Sequence, residues 1–503
     1  MKKKYLVGAA LLMASHMAFA GGYLTNTNQH VAFLRMLARG ASTDIDAIYS
    51  NPAGLAFMKK EGLTLSLNIQ NAAQKRNIDA SYRGVALGLD LSKLGMGTMQ
   101  LGGNSYQKYY EGNASAPVIP SLFAAYKKGD WVFSGSFAVV GGGGKCSFDE
   151  GLPMFDSSVR SLFDIALGAA QLANGMINPQ SPMAGKSVSD MYTVNSAMEG
   201  RQFIYGLQLG ATYKVNDWFS VFAGGRMNYF SGGYQGFLDA SVHGEYLNAY
   251  QQGIQTALTL VQTMNPELAG AIGGLIPQEL LAGQFKLALD CDQTGWGLTP
   301  ILGADVHYKG LTVGLKYEFQ TSLNLENKTK ELIDPTGKSL DAFKDGVNTP
   351  NDIPALLTAA VGYEFLPTLR ATVEYHHYFD KQAGMANDKQ KLLDRGTHEY
   401  LAGIEWDAHK YVTLSGGYQR TDYGLTGDFQ SDTSFSCDSY SVGFGAKLNL
   451  NDHLSMNVAY FWTTYTDFDK PYETQLGPGL SIQGTNIYSR TNKVFGVGID
   501  YTF

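Results

Sequence analysis

Cysteine is nearly absent from this chain, with 3 in 503 residues. So few sulfurs exclude a disulfide scaffold as the source of its stability. Long apolar runs are missing too: beyond the first twenty residues no stretch reaches the roughly eighteen needed for a membrane helix, which excludes a helical membrane bundle. The formal charge is −7, and no basic cluster with interleaved aromatics is present, so nucleic acid is not an expected partner. Proline is held to 15 residues, against 59 glycines, 30 tyrosines and 26 phenylalanines. That balance points to strands decorated with aromatic rings. The mean hydropathy of −0.14 is that of a soluble protein. A transmembrane barrel has the same average, because only every second residue of a strand faces lipid.

Lys2, Lys3 and Lys4 precede an apolar stretch from Tyr5 to Met13, and Ala18-Phe19-Ala20 stands before Gly21. This pattern predicts a secretory signal over residues 1–20. It is too short to span a bilayer as a helix, and no cysteine follows the cleavage site to carry a lipid.

The C-terminus shows the wall pattern. Phe495, Val497, Ile499, Tyr501 and Phe503 alternate with Gly496, Gly498, Asp500 and Thr502. One such strand would suit a soluble sandwich equally well. Repetition decides against that. Phe203, Tyr205, Leu207, Leu209 and Ala211 alternate up to a turn at Asn216-Asp217, and Phe219, Val221 and Ala223 resume beyond it. Similar pairs surround Lys128-Gly129-Asp130, Lys309-Gly310, Leu366-Pro367-Thr368, Asp407-Ala408-His409 and Asn451-Asp452-His453. With a first strand from Leu63 and a last one ending at Phe503, the pattern predicts about fourteen antiparallel strands, an even number.

The connections alternate between these tight turns and long segments, at 141–200, 230–295, 321–354 and 464–491. Short periplasmic turns and long external loops are the arrangement of an outer-membrane barrel. Aromatic residues gather beside the short turns, at Tyr126, Trp131, Tyr213, Trp218, Tyr308, Phe365 and Trp406. Amphipathic rings at one membrane edge form such a girdle.

Residues 21–60 lack the alternation and carry Asn26, Asn28, Gln29, Arg35, Arg39, Asp44 and Asp46. A polar segment joined to the first strand can fold back into a polar lumen. This gives a signal over 1–20, a plug over 21–60 and a barrel over 61–503. Near the plug's end the chain reads Ala47-Ile48-Tyr49-Ser50-Asn51-Pro52-Ala53-Gly54-Leu55. Pro52 fixes its own φ and disfavours helix at Asn51, which predicts a rigid corner.

With its place just before the first strand, this Asn51-Pro52-Ala53 triplet resembles the hatch signature of the FadL/TodX family of outer-membrane transporters. The resemblance covers signal, hatch and barrel. It implies passive, ligand-gated uptake of hydrophobic small molecules such as long-chain fatty acids, with lateral release through the barrel wall. It further implies a monomer in the outer membrane of a Gram-negative-type bacterium, in contact with that membrane's lipid, with the N-terminus on the periplasmic side or in the lumen. In the family the lateral exit goes with a kink in the third strand. Gly135 is the candidate here, and the run Gly141 to Gly144 reads as loop. The third external loop carries apolar residues at helical spacing, and Leu258, Val261, Met264 and Ile272 are the candidate capture groove. Arg226 and Lys316 face inward and are the candidates to hold an anionic headgroup.

Other chemistry is not supported. The segment ending Gly144-Lys145-Cys146 lacks the Ser or Thr of a phosphate loop. His376 and His377 are adjacent in a strand, so they point to opposite faces and make no metal site. No serine and histidine are marked as a hydrolase pair. The expectation is therefore a channel with no enzymatic activity, metal or cofactor. The alternative is a general diffusion porin or a surface-binding outer-membrane protein.

Overall fold

The computed structural model describes residues 25–92, 97–264, 277–335, 337, 340–477 and 480–503. The predicted signal lies outside them.

Fourteen antiparallel strands form the wall. They are β1 (Gly62–Arg83), β2 (Ser105–Lys128), β3 (Trp131–Phe148), β4 (Tyr192–Asn216), β5 (Phe219–Val242), β6 (Gln284–Tyr308) and β7 (Leu311–Glu318). The second half comprises β8 (Leu356–Leu366), β9 (Leu369–Tyr378), β10 (Thr397–His409), β11 (Val412–Asp422), β12 (Ser439–Asn449), β13 (Leu454–Tyr465) and β14 (Leu480–Thr502). β14 pairs with β13 and also with β1, from Thr64 opposite Thr502 to Arg83 opposite Gln483. The sheet thus closes on itself, which leaves no free edge strand. No helix among the described residues is long and apolar enough to cross a membrane.

Burial along the strands is inverted relative to a soluble protein. Leu67, Ile69, Leu207, Leu209, Phe495 and Ile499 are exposed, while Ser66, Asn68, Gln208, Thr212, Asn492 and Asp500 are buried. Apolar side chains therefore face outward, and the interior is polar. Trp131, Tyr126, Trp218, Tyr308, Phe365 and Trp406 are exposed beside the short turns, where an aromatic girdle belongs.

The strands outrun the pattern that revealed them. β4 and β6 are each 25 residues long, well past the roughly ten that cross hydrocarbon. Their far ends stand above the apolar band, so outward positions such as Lys286 are polar and the period-two signal fades. The segments 230–242 and 284–295, expected as loop, are strand for this reason.

The described part of the plug lies inside the barrel and is buried almost throughout. It contains α1 (Val31–Arg35), α2 (Ala47–Ser50) and a 3-10 turn over Pro52–Phe57. Asn51 is extended at φ −155 and ψ 96, and Pro52 opens the 3-10 turn, as its fixed φ favours. Plug and wall touch backbone to backbone. A Cβ on Gly314 would lie 2.1 Å from the Gly40 carbonyl oxygen, and one on Gly443 would lie 2.2 Å from that of Leu34. Gly314→Ala is therefore predicted to cost about 1–3 kcal/mol through overpacking and to make the plug protease-sensitive. Thermal melting with limited proteolysis checks this, and an unaltered digestion pattern would contradict it.

The far end is closed by a helical lid, α3 (Pro153–Ile177) and α4 (Gly244–Met264). Val159, Phe163, Tyr250, Ile254 and Phe285 share one apolar cluster there. Asp164 accepts hydrogen bonds from the hydroxyls of Tyr106 at 2.7 Å and Tyr192 at 2.9 Å, which ties α3 to the extended strands. Helix α3 occupies a segment where the sequence signalled only a long connection.

Candidate functional site

The ladder between β2 and β3 is interrupted. Pairing runs from Lys128 opposite Trp131 to Ser121 opposite Ala138, then resumes only at Ala114 opposite Cys146. Pro117 and Pro120 fall in the gap on β2 and have no amide to donate. On β3 the gap holds Gly141 to Gly144, with Gly142 at φ 99 and Gly144 at φ 69. These left-handed conformations bend the strand at little cost only for glycine. The β3 to β4 register slips at the same place. Gly135, the expected kink, instead sits in regular pairing with Ala124 and Leu209. The glycine run read as loop is where the pairing of β2 with β3 is interrupted.

Behind the gap lies a cavity that opens to solvent. Its floor is the plug at Thr25, Asn26 and Gln29, and its sides include Val118, Ile119, Val139 and Gly141 to Gly144. Arg76 of β1 and Arg490 of β14 also line it, as directly opposed partners in the β1 to β14 ladder. The Arg490 guanidinium lies 4.9 Å from the centre of the Tyr465 ring. The Arg76 guanidinium lies on the glycine run, so a Cβ on Gly143 would be 2.4 Å from its Nη2. Sequence reading missed both arginines.

Buried charges hold the plug. Glu405 receives Arg35 at 2.5 Å and Arg39 at 3.2 Å from the plug, and Arg370 at 3.0 Å from the wall. Glu374 accepts from the Gly40 amide at 2.7 Å, Glu399 accepts from that of Asn26 at 3.1 Å, and His376 bridges the two carboxylates. The triplet itself docks on the wall. Asn51 donates to the Ala304 carbonyl at 3.2 Å, while the Pro52 and Ala53 carbonyls accept from Thr212 and Ser220 at 2.7 Å each.

No family profile and no curated protein sequence matches the chain. Solved structures do. A Pseudomonas aeruginosa FadL homologue aligns over 96% of this chain and 100% of its own, at 15% identity and a TM-score of 0.60. The Pseudomonas putida toluene transporter TodX aligns over 92% and 95%, at 15% identity and a TM-score of 0.46. The Ralstonia pickettii toluene transporter TbuX covers 92% and 94%, at 12% identity and a TM-score of 0.46. The chain has the FadL-type fold.

Within this FadL-type barrel, Arg226 and Lys316 do not reach the cavity. Both pair with Glu318, Lys316 at 2.7 Å, and Lys316 also donates to the Tyr49 carbonyl at 2.8 Å. They neutralise a buried carboxylate and brace the plug, which takes them away from the headgroup position expected of them. Arg226→Gln is predicted to cost about 3–5 kcal/mol and to leave ligand selectivity unchanged. Melting and a ligand-binding series on the variant measure the two effects separately, and altered selectivity would contradict the assignment.

Of the expected capture residues, Leu258 and Val261 are half-buried on α4. The Met264 side chain and Ile272 lie outside the described residues. A small apolar pocket lies elsewhere, between the start of α3 and the extended strands, lined by Phe155, Met198, Phe237, Leu287 and Leu289. Among the described residues no disulfide forms; Cys146 and Cys437 share one apolar cluster and Cys291 sits in another.

Proposed function

We propose that this protein is an outer-membrane channel for the passive uptake of hydrophobic small molecules, long-chain fatty acids included, with sideways release into the bilayer. The observation that carries this reading is the cavity bordered by unpaired wall between β2 and β3. The apolar pocket beneath the lid supplies a first stop, the cavity a second, and the gap an exit.

Solvation favours that exit. Each methylene that leaves an apolar site for water costs about 0.8 kcal/mol, whereas passage from such a site into lipid costs almost none of it. A path through the plug into the periplasm would meet the full cost, and buried ion pairs hold the plug shut. The FadL homologue has the same fold. In this reading the chain ends and short turns face the periplasm, the barrel acts as a monomer in contact with membrane lipid, and the gradient alone drives uptake. The tied plug disfavours a general diffusion porin.

Mass spectrometry of small molecules retained by the purified barrel tests the proposal. Apolar or amphipathic molecules should be recovered from the intact protein and lost when residues 25–46 are removed. An empty barrel that conducts ions freely with its plug in place would support the porin instead.

A further inference from the structure

Thr212, Ser220 and Asp305 are the wall side chains that hold the Asn51-Pro52-Ala53 corner of the plug, and only Asp305 can ionise. Its Oδ2 accepts from the Asn51 Nδ2 at 3.3 Å, and its Oδ1 has no partner within the protein. The Asn51 Oδ1 has none either. Asp305 is 0% and Asn51 1% exposed, so both oxygens are shut away from bulk water. Wall backbone seals the spot: a Cβ on Gly303 would lie 2.9 Å from the Asn51 Oδ1, and one on Gly314 would lie 2.7 Å from its Nδ2.

The charged groups around Asp305 are committed elsewhere. On β6, His307 lies two residues along on the same face, with its Nδ1 2.9 Å from the Thr312 hydroxyl and its ring against that of Phe57. On β7, Lys316 donates to Glu318 and to the Tyr49 carbonyl. On β5, Ser220 stands opposite Asp305, and Arg226 further along pairs with Glu318. Lys214 of β4 pairs with Asp217, and in the plug Asp44 pairs with Lys447 and Asp46 with Arg39. Among the described residues no charged side chain acts on Asp305. An ionised Asp305 would therefore be a buried carboxylate with no counter-charge, which is heavily penalised.

We propose that Asp305 carries a proton while the plug is seated, and that this carboxyl is a pH-sensitive latch on the Asn51 corner. A carboxylic acid and a primary amide each offer a donor and an acceptor, so a single proton supplies the donor that the two unpartnered oxygens lack. Raising the pH passes that proton to solvent and leaves a buried charge beside an unsatisfied amide oxygen. The seated plug is thus favoured at low pH, and its hold weakens as pH rises through the titration of Asp305. The inference concerns the plug alone and stands whatever cargo the barrel carries.

Hydrogen exchange of the full-length barrel in nanodiscs, read over residues 48–57 and corrected for the intrinsic rate at each pH, tests the latch. Protection should fall at least about tenfold between about pH 6 and about pH 10. Asp305→Asn keeps a donor and an acceptor at every pH, so its protection should stay flat over that range. His307→Gln should leave the fall intact. Infrared difference spectra at neutral pH should show a protonated carboxyl band in the parent that is missing from both Asp305→Asn and Asp305→Ala. Heat-dependent gel mobility reports folding, and the alanine variant serves the infrared comparison if the asparagine one fails to fold. Flat protection in the parent overturns the proposal, as does a fall that persists in Asp305→Asn or disappears in His307→Gln. An identical carboxyl band in parent and variants overturns it too.

Discussion

Stapling the gap should stop uptake. Ala116 lies on β2, and a Cβ built on Gly144 of β3 would be 4.0 Å from its Cβ, within the roughly 3.5–4.5 Å that a disulfide requires. A variant with Ala116→Cys and Gly144→Cys, in a Cys146→Ser background, can therefore lock the two strands together across their unpaired stretch. Gly144 is at φ 69, so a side chain there costs about 1–2 kcal/mol, small beside the stability of a closed barrel. Oxidised protein in liposomes is expected to transfer an apolar ligand at least about tenfold more slowly than reduced protein, a barrier increase of about 1.4 kcal/mol or more. Reductant should restore the rate. If oxidised and reduced forms transfer equally, ligand does not leave through this gap.

The second large effect concerns the plug. Glu405 compensates Arg35 and Arg39, both buried, together with Arg370. Glu405→Gln keeps the shape but strands Arg35 in the lumen and leaves Arg39 with Asp46 alone, and breaking such a buried network costs about 3–5 kcal/mol. Much of that strain can be relieved if the plug leaves its seat and its arginines meet water. The variant is therefore expected to melt earlier and to conduct ions in planar bilayers where the parent is silent. Arg370→Gln should do less, because Arg370 is half-exposed and the plug arginines keep their partner. Lost stability without conductance would mean that Glu405 supports the wall alone.

Much of this fold was legible because lipid imposes a strict rule on outward residues. The alternation of Phe495, Ile499 and Tyr501 revealed a wall strand, and repeated tight turns revealed the barrel. Where the rule lapses, the signal lapsed with it. Above the membrane the outward face carries Lys286 and its like, so long strand extensions read as loops. The site was harder to see. Arg76 and Arg490 are far apart in sequence and meet only through the closing register of β1 with β14. The gap arises from two prolines on one strand facing a glycine run on the next, and neither feature signals an opening alone. One misreading was avoidable: Lys316 and Glu318 are two apart in a strand and so share a face, which already implied mutual neutralisation.

The proposed function requires this barrel to pass apolar molecules while refusing open aqueous flow. Both properties can be read from a single reconstituted sample, by recording transfer of a fluorescent apolar ligand into the liposome bilayer together with ion conductance. Protein-dependent transfer with negligible conductance is the expected result. Steady ion conductance without transfer would contradict it.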